Sequence, residues 1–158
     1  RNQIGFQTGV SIADFLLPNL TAAAEYSRIN PFVYRNFIPA QNYTNSNYAL
    51  GDWMGNNADR IWLSAKYRPK PSWVLTGYMM LMSKGGAGTV EQQYFAQPQP
   101  NFGFDPQYKR SKLGLEASYF LWNNVQFRMA VANTYQKPHN GAMKTLPEAS
   151  LGVYWNKF

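Results

Sequence analysis

Aromatic and amide side chains that could bind a sugar are concentrated between residues 42 and 57. The candidate residues are Tyr43, Tyr48, Asp52, Trp53, Asn56 and Asn57. Aromatic rings offer flat apolar surfaces to the C–H faces of a pyranose, and amides and carboxylates hydrogen-bond its hydroxyls. This segment is therefore a candidate carbohydrate-binding loop. The alternative is that its aromatic side chains fold inward and plug or brace the mouth of the barrel that the strand pattern described below predicts.

Groups that catalyse reactions are scarce. The chain has no cysteine, which excludes a thiol nucleophile, and His139 is its only histidine. The Gly-Gly-Ala-Gly run at residues 85–88 lacks the Lys-Ser/Thr pair of a phosphate-binding loop. Asp52 and Asp59 could form a glycosidase carboxylate pair, but within one loop we expect them to make turn hydrogen bonds. We therefore expect a protein that is not an enzyme, with no cofactor and no metal.

The composition differs from that of an ordinary cytosolic domain. Of the 158 residues, 16% are aromatic and 15% are charged, whereas about a quarter of residues are charged in a typical soluble domain. The net charge is +7, but the basic residues are scattered along the chain, which favours a solvated face over a nucleic-acid surface. No stretch approaches the ~18 apolar residues of a membrane helix.

Apolar and polar residues alternate through most of the chain. Ile61 and Leu63, for example, alternate with Arg60, Trp62 and Ser64. A period of two is typical of β-strands with one apolar face. It predicts seven strands, at residues 3–10, 20–34, 59–68, 73–84, 112–121, 125–135 and 149–158.

The connections between the predicted strands alternate in length. Short turns fall near residues 69–72 and 122–124, and long loops near 35–58, 85–108 and 137–147. In an antiparallel meander the short turns then share one side and the long loops the other. We therefore predict an all-β fold: an up-and-down antiparallel transmembrane β-barrel with periplasmic turns and extracellular loops. A soluble β-sandwich with the aromatic residues in its core is the alternative.

The two parities of the predicted strands suit the two sides of a barrel wall. The polar parity would line the lumen with the charges Glu25, Arg60, Lys66, Arg68, Lys112, Glu116 and Arg128. Aromatic residues near the short turns would lie at the membrane interface, where amphipathic rings are favoured. They are Tyr67, Trp73, Tyr119, Trp122 and Trp155. At the opposite rim, Lys109 and Arg110 are expected to contact lipopolysaccharide phosphates.

Seven strands are too few for a closed bacterial barrel, which has an even number of eight or more. An open sheet edge would leave backbone groups unpaired in hydrocarbon. We therefore expect residues 1–158 to belong to a single larger barrel domain, as its C-terminal part; an eight-stranded barrel with one strand missed is the alternative. The terminal Phe158 resembles the C-terminal assembly signal of Gram-negative outer-membrane barrels.

Three runs in the first hundred residues carry a family resemblance. They are Glu25 to Tyr34, Ile38 to Thr44 and Leu50 to Asp59. Together with the order strand, loop, strand over about residues 20–100, they resemble the Wzi-type capsule-assembly outer-membrane barrels. The likeness is to the Bacteroidetes branch, which includes gliding-motility-associated members.

The resemblance implies a multi-pass protein of the bacterial outer membrane that attaches or assembles capsular polysaccharide at the cell surface. Its implied surroundings are membrane lipid and lipopolysaccharide, and no nucleic-acid partner is expected. Two other functions remain open. One is a docking subunit of a cell-envelope machine, such as a gliding or secretion apparatus, and the other is a soluble, secreted carbohydrate-binding β-sandwich.

Overall fold

The computed structural model describes residues 3–38, 42, 44–45, 48–122 and 125–155. Its strands are β1 (Gly5–Ile12), β2 (Leu20–Ile29), β3 (Thr44–Asn45), β4 (Tyr48–Ala49), β5 (Ala58–Lys70), β6 (Trp73–Lys84), β7 (Tyr108–Trp122), β8 (Val125–Pro138) and β9 (Lys144–Trp155). One short helix, α1 (Val90–Tyr94), lies between β6 and β7. The chain is therefore all-β with almost no helix.

Seven of these strands form one antiparallel sheet in the order β1-β2-β5-β6-β7-β8-β9, and β3 pairs with β4 in a separate hairpin. Successive strands of the large sheet are neighbours, so the predicted up-and-down meander of seven strands is confirmed. The sheet is open, with β1 and β9 at its edges. Within the described residues, no helix has the length and apolar character needed to span a membrane.

The strand register aligns every second residue into rows that share a face of the sheet. What we name the apolar face contains the row Ile12, Ala22, Ala65, Gly77, Leu115, Val131 and Ala149. The opposite, polar face contains the row Gly9, Glu25, Trp62, Met80, Lys112, Thr134 and Leu146. The predicted division into apolar and polar parities therefore extends across the whole sheet.

The apolar face is the exposed face of the sheet. Leu113, Leu115 and Leu151 expose 59%, 62% and 82% of their surfaces. On the polar face, Ser118 and Thr134 are buried, with 3% and 6% exposed. A soluble sheet normally turns its apolar residues to the core and its polar residues to water. No second layer covers the apolar face within the described part of the chain, so its large apolar side chains stay exposed.

The third long connection is shorter than predicted. β8 continues to Pro138 and β9 begins at Lys144, so five residues connect them instead of a loop over 137–147. Pro147, taken as the end of the loop, lies within β9 at the edge of the sheet. An edge strand tolerates proline because one side of its backbone has no neighbouring strand to bond.

The first long connection packs on the polar face, at the end where the strands meet the long loops. Met54 of this connection joins Ile29, Ala58 and Met82 in a buried cluster. β2 ends at Ile29, earlier than predicted, and residues 31–34 form a turn. The loops therefore cap one end of the polar face, and the apolar face stays uncovered.

Candidate functional site

Asn57 joins the first two long connections. Its Nδ2 donates to the backbone oxygens of Gly86 and Phe104, both at 3.0 Å, and its Oδ1 accepts from Gly103 N at 2.7 Å. Its backbone is left-handed, with φ of 56°, a conformation in which Asn is enriched. Only 1% of its surface is exposed. Asn57 is therefore a structural brace, not the sugar contact that the sequence suggested.

Asp52 and Asn56 also hold the loops together. Asp52 Oδ1 accepts from Met54 N at 2.9 Å, and Asp52 N donates to Tyr34 Oη at 3.1 Å. Asn56 Oδ1 accepts from Tyr34 N at 2.8 Å. Lys84 Nζ donates to the backbone oxygen of Met54 at 2.6 Å and to that of Asn56. These bonds engage much of the hydrogen-bonding capacity that the sequence analysis assigned to a sugar.

Trp53 is the predicted sugar-binding residue that presents an exposed ring. It exposes 57% of its surface, and its ring centroid lies 5.9 Å from the guanidinium carbon of Arg60. Arg60 is in turn ion-paired with Glu25 on the polar face. Tyr43 and the side chain of Tyr48 lie outside the described residues. Trp53 thus marks the point where the loop meets the charged part of the polar face.

The polar face concentrates the charges that the sequence analysis placed there. The ion pairs among the described residues are Arg60–Glu25, Lys112–Glu148 (2.7 Å between Nζ and Oε2) and Arg128–Glu116. Glu148 had not been predicted, although it follows the same alternation. Lys66 and Arg68, also predicted, are exposed toward the short-turn edge. The polar face therefore carries paired charges of both signs.

An aromatic pair on the polar face was missed by the sequence analysis. Trp62 and Tyr78 stack with ring centroids 5.0 Å apart and an interplanar angle of 16°. Tyr78 lies over Gly114, where an added Cβ would be 2.3 Å from the ring, so only glycine admits this packing. Both aromatic residues lie on the polar parity of their strands, which was the available signal. Arg60, whose guanidinium lies near the Trp53 ring, is two residues before Trp62 on the same face of β5.

The predicted interface aromatics collect on the apolar face near the short turns. Trp73 and Tyr119 are cross-strand partners with ring centroids 4.9 Å apart. Trp155 is opposite Val125 and exposes 68% of its surface. Tyr67, on the same face, is partly exposed. The side chain of Trp122 and residue Phe158 lie outside the described part of the chain.

The second long connection is held by hydrogen bonds of its polar side chains, one of which reaches the first long connection. Gln93 is buried, and its Nε2 donates to Arg35 O at 3.2 Å. Thr89 and Gln92 form a reciprocal capping box at the start of α1. A hydrogen bond to its own backbone, and then one to Thr89, lowers the pKa of Glu91. Hydrogen bonds of Gln92, Gln93 and Glu91 therefore order this loop.

Comparisons with known proteins identify no similar protein, so the function is inferred from the sequence and the geometry of the chain. No family model, no curated protein and no solved structure matches it. Among the described residues, no group of three or more His, Cys, Asp or Glu side chains is placed to hold a metal ion. His139 is exposed in the third connection.

Proposed function

We propose that this chain forms part of an outer-membrane β-barrel that attaches or assembles capsular polysaccharide at the cell surface without catalysing a reaction. The observation that carries the proposal is that the sheet exposes its apolar face and buries part of its polar face, the reverse of a soluble sheet. Leucines and valines cover its open side, while ion pairs and buried hydroxyls occupy its other side. A transmembrane barrel has this arrangement, because its outer side faces lipid and its inner side faces a polar lumen.

The height of the apolar band supports a membrane location. From Trp73 to Leu81 the apolar face of β6 extends about 27 Å at ~3.4 Å per residue. A strand tilt of about 40° projects this length to about 21 Å, close to the ~25 Å apolar band of outer-membrane barrels. The next row of the same face, toward the long loops, includes Arg28, Asp59, Lys109 and Lys137. Charged residues therefore border the apolar band at the level where the lipid headgroup region would begin.

The ends and edges of the sheet agree with this location. Trp73 and Tyr119 lie at the short-turn end of the band, where interfacial rings are favoured. The edges of β1 and β9 are open, and backbone groups in hydrocarbon must be hydrogen-bonded. The proposal therefore includes further strands that pair with these two edges and complete the barrel.

The polysaccharide part of the proposal depends on the family resemblance and on three aromatic residues, Trp53, Trp62 and Tyr78. Their rings lie along the polar face together with the Arg60–Glu25 ion pair. Flat rings and charged hydrogen-bonding groups are what a sugar chain needs for binding. Trp53 is the exposed ring at the loop end, where an extracellular polymer would first make contact.

Trp53→Ala is expected to weaken binding of purified capsular polysaccharide by about tenfold. The substitution removes one stacking interaction, and a loss of about 1.4 kcal/mol in binding free energy corresponds to that factor. Binding would be measured by titrating the full-length protein in detergent with polysaccharide fragments. Phe95→Ala is the matched control, because Phe95 is an exposed aromatic residue, 69% accessible, in the other long connection.

Equal affinity of the Trp53→Ala and Phe95→Ala variants would show that Trp53 is not part of a glycan site. A parent protein that binds no polysaccharide, but copurifies stably with an envelope complex, would instead favour the docking subunit.

A further inference from the structure

Two lysines face each other just beyond the apolar band. Lys109 in β7 and Lys137 in β8 are directly opposite in the register and exposed on the apolar face. Directly opposed side chains have Cβ atoms about 4.5–5.5 Å apart, and like charges there repel. Neither ammonium group has an ion-pair or hydrogen-bond partner among the described residues. A shared anion would remove this repulsion.

Other charged groups nearby have side-chain partners. Arg28 and Asp59, in the same row, are directly opposite each other; Arg28 Nε donates to Asn30 Oδ1 at 3.0 Å, and Asp59 Oδ2 accepts from Tyr26 Oη at 3.5 Å. Arg110, predicted with Lys109 to contact phosphate, lies on the polar face, where its Nη2 donates to Gln136 Oε1 at 2.8 Å. Arg110 therefore does not share the face of Lys109, and among the described residues of this row the positive charges without a side-chain partner are those of the lysine pair.

An apolar cavity adjoins the lysine pair on the side of the apolar band. It has a volume of about 320 Å³ and is lined by both lysines together with Ile61, Leu81 and Tyr135; Asp59 and Arg110 also border it, so its charges are one acidic and three basic. Aliphatic walls next to ammonium groups suit an amphiphile whose apolar part continues into the band.

A second cavity adjoins the same lysines on the side of the long loops. Its volume is about 430 Å³, and its lining includes both lysines, Ser83, Tyr108 and His139. The hydroxyl of Ser83 and the imidazole of His139 can hydrogen-bond the hydroxyls of a headgroup. The lysine pair thus lies between two cavities with largely apolar walls, and the one toward the long loops also offers these two polar side chains.

We propose that Lys109 and Lys137 bind the phosphate of a phosphorylated glycolipid of the surrounding membrane leaflet. Its acyl chains would lie along Ile61 and Leu81, and its sugar would occupy the cavity near His139. Lysine ammonium groups bind phosphate through charge-assisted hydrogen bonds. This inference rests on the proposed membrane location of the apolar face.

The test compares lipid binding by charge-matched variants of the full-length protein in detergent. The probes are monophosphoryl lipid A, the same lipid after removal of its phosphate, and inorganic phosphate. The variant is Lys109→Gln with Lys137→Gln. The control is Lys66→Gln with Lys144→Gln, which removes the same charge from exposed lysines on the polar face.

We expect the Lys109/Lys137 variant to bind monophosphoryl lipid A at least about tenfold more weakly than the control, and the dephosphorylated lipid to bind both proteins equally weakly. Inorganic phosphate should not displace the lipid at equal concentration. Equal loss in the two variants, or equal binding of the dephosphorylated lipid and monophosphoryl lipid A by the parent, would overturn the site. Displacement by inorganic phosphate would show an anion site that does not recognise lipid.

Insertion of both variants and the parent into vesicles is measured in parallel. Failure of the parent to insert would contradict the proposed function itself.

Discussion

Leu115→Arg is expected to destabilise the folded protein in a bilayer by about 2–4 kcal/mol, the cost of arginine at the midplane of a transmembrane barrel. Leu115 lies near the middle of the apolar face and exposes 62% of its surface. On a soluble sheet, an exposed substitution of this kind changes stability by no more than about 0.5 kcal/mol. The free energy of unfolding would be measured by urea titration of the full-length protein in phospholipid vesicles.

Ser111→Arg is the matched control for this substitution. Ser111 lies on the same strand and the same face, four residues nearer the long loops and one row from the charged row. There we expect a loss of about 0–1 kcal/mol, because the cost of arginine falls toward the interface. Equal and small effects at the two positions would place the apolar face in water and remove the basis of the barrel.

Asn57→Ala is expected to open the long loops while leaving the sheet intact. The substitution removes three hydrogen bonds and leaves the backbone groups of Gly86, Gly103 and Phe104 without these partners. Gly86 O is then buried without a partner, at a cost of about 1–3 kcal/mol, whereas Phe104 O still accepts from Gly86 N and Gly103 is exposed. That corresponds to a rise of roughly 5- to 150-fold in the open population. The measurement is the rate of proteolysis within residues 85–107, which follows that population.

Asn101→Ala provides the comparison for this loop experiment. Asn101 is an exposed asparagine in the same connection, and its side chain makes no hydrogen bond among the described residues. Its cleavage rate should equal that of the parent. If Asn57→Ala is cleaved no faster than Asn101→Ala, Asn57 does not brace the loops.

The strands of the sheet could be predicted because their alternation is a local property of the sequence. Every second residue of a half-buried strand meets the same surroundings, so the pattern in residues 112–121 already separates the two faces. The start of β9 was missed because a proline, here Pro147, usually interrupts a β-strand. Whether proline is tolerated depends on strand order, which places β9 at the edge of the sheet.

The candidate site was harder to predict because an asparagine in a loop has the same sequence signature whether it binds a ligand or the backbone. Asn57 bonds to residues 29 and 47 positions away, contacts that no local pattern encodes. Trp62 and Tyr78 were visible on the polar parity, but their stacking depends on the register between β5 and β6. Lys109 and Arg110 were grouped together because the strand was predicted to begin at residue 112; β7 begins at Tyr108, so these adjacent residues face opposite sides of the sheet.

The most direct test of the membrane location is depth-resolved fluorescence quenching along β7. Residues 1–158 contain no cysteine, so after replacement of any cysteine elsewhere by serine, a single cysteine at Leu113, Leu115, Lys112 or Glu116 can carry one fluorophore in the full-length protein. In vesicles with a nitroxide on the acyl chain, we expect strong quenching at Leu113 and Leu115 and weak quenching at Lys112 and Glu116. Quenching of Leu113 and Leu115 by aqueous iodide, with no effect of the lipid nitroxide, would contradict the account.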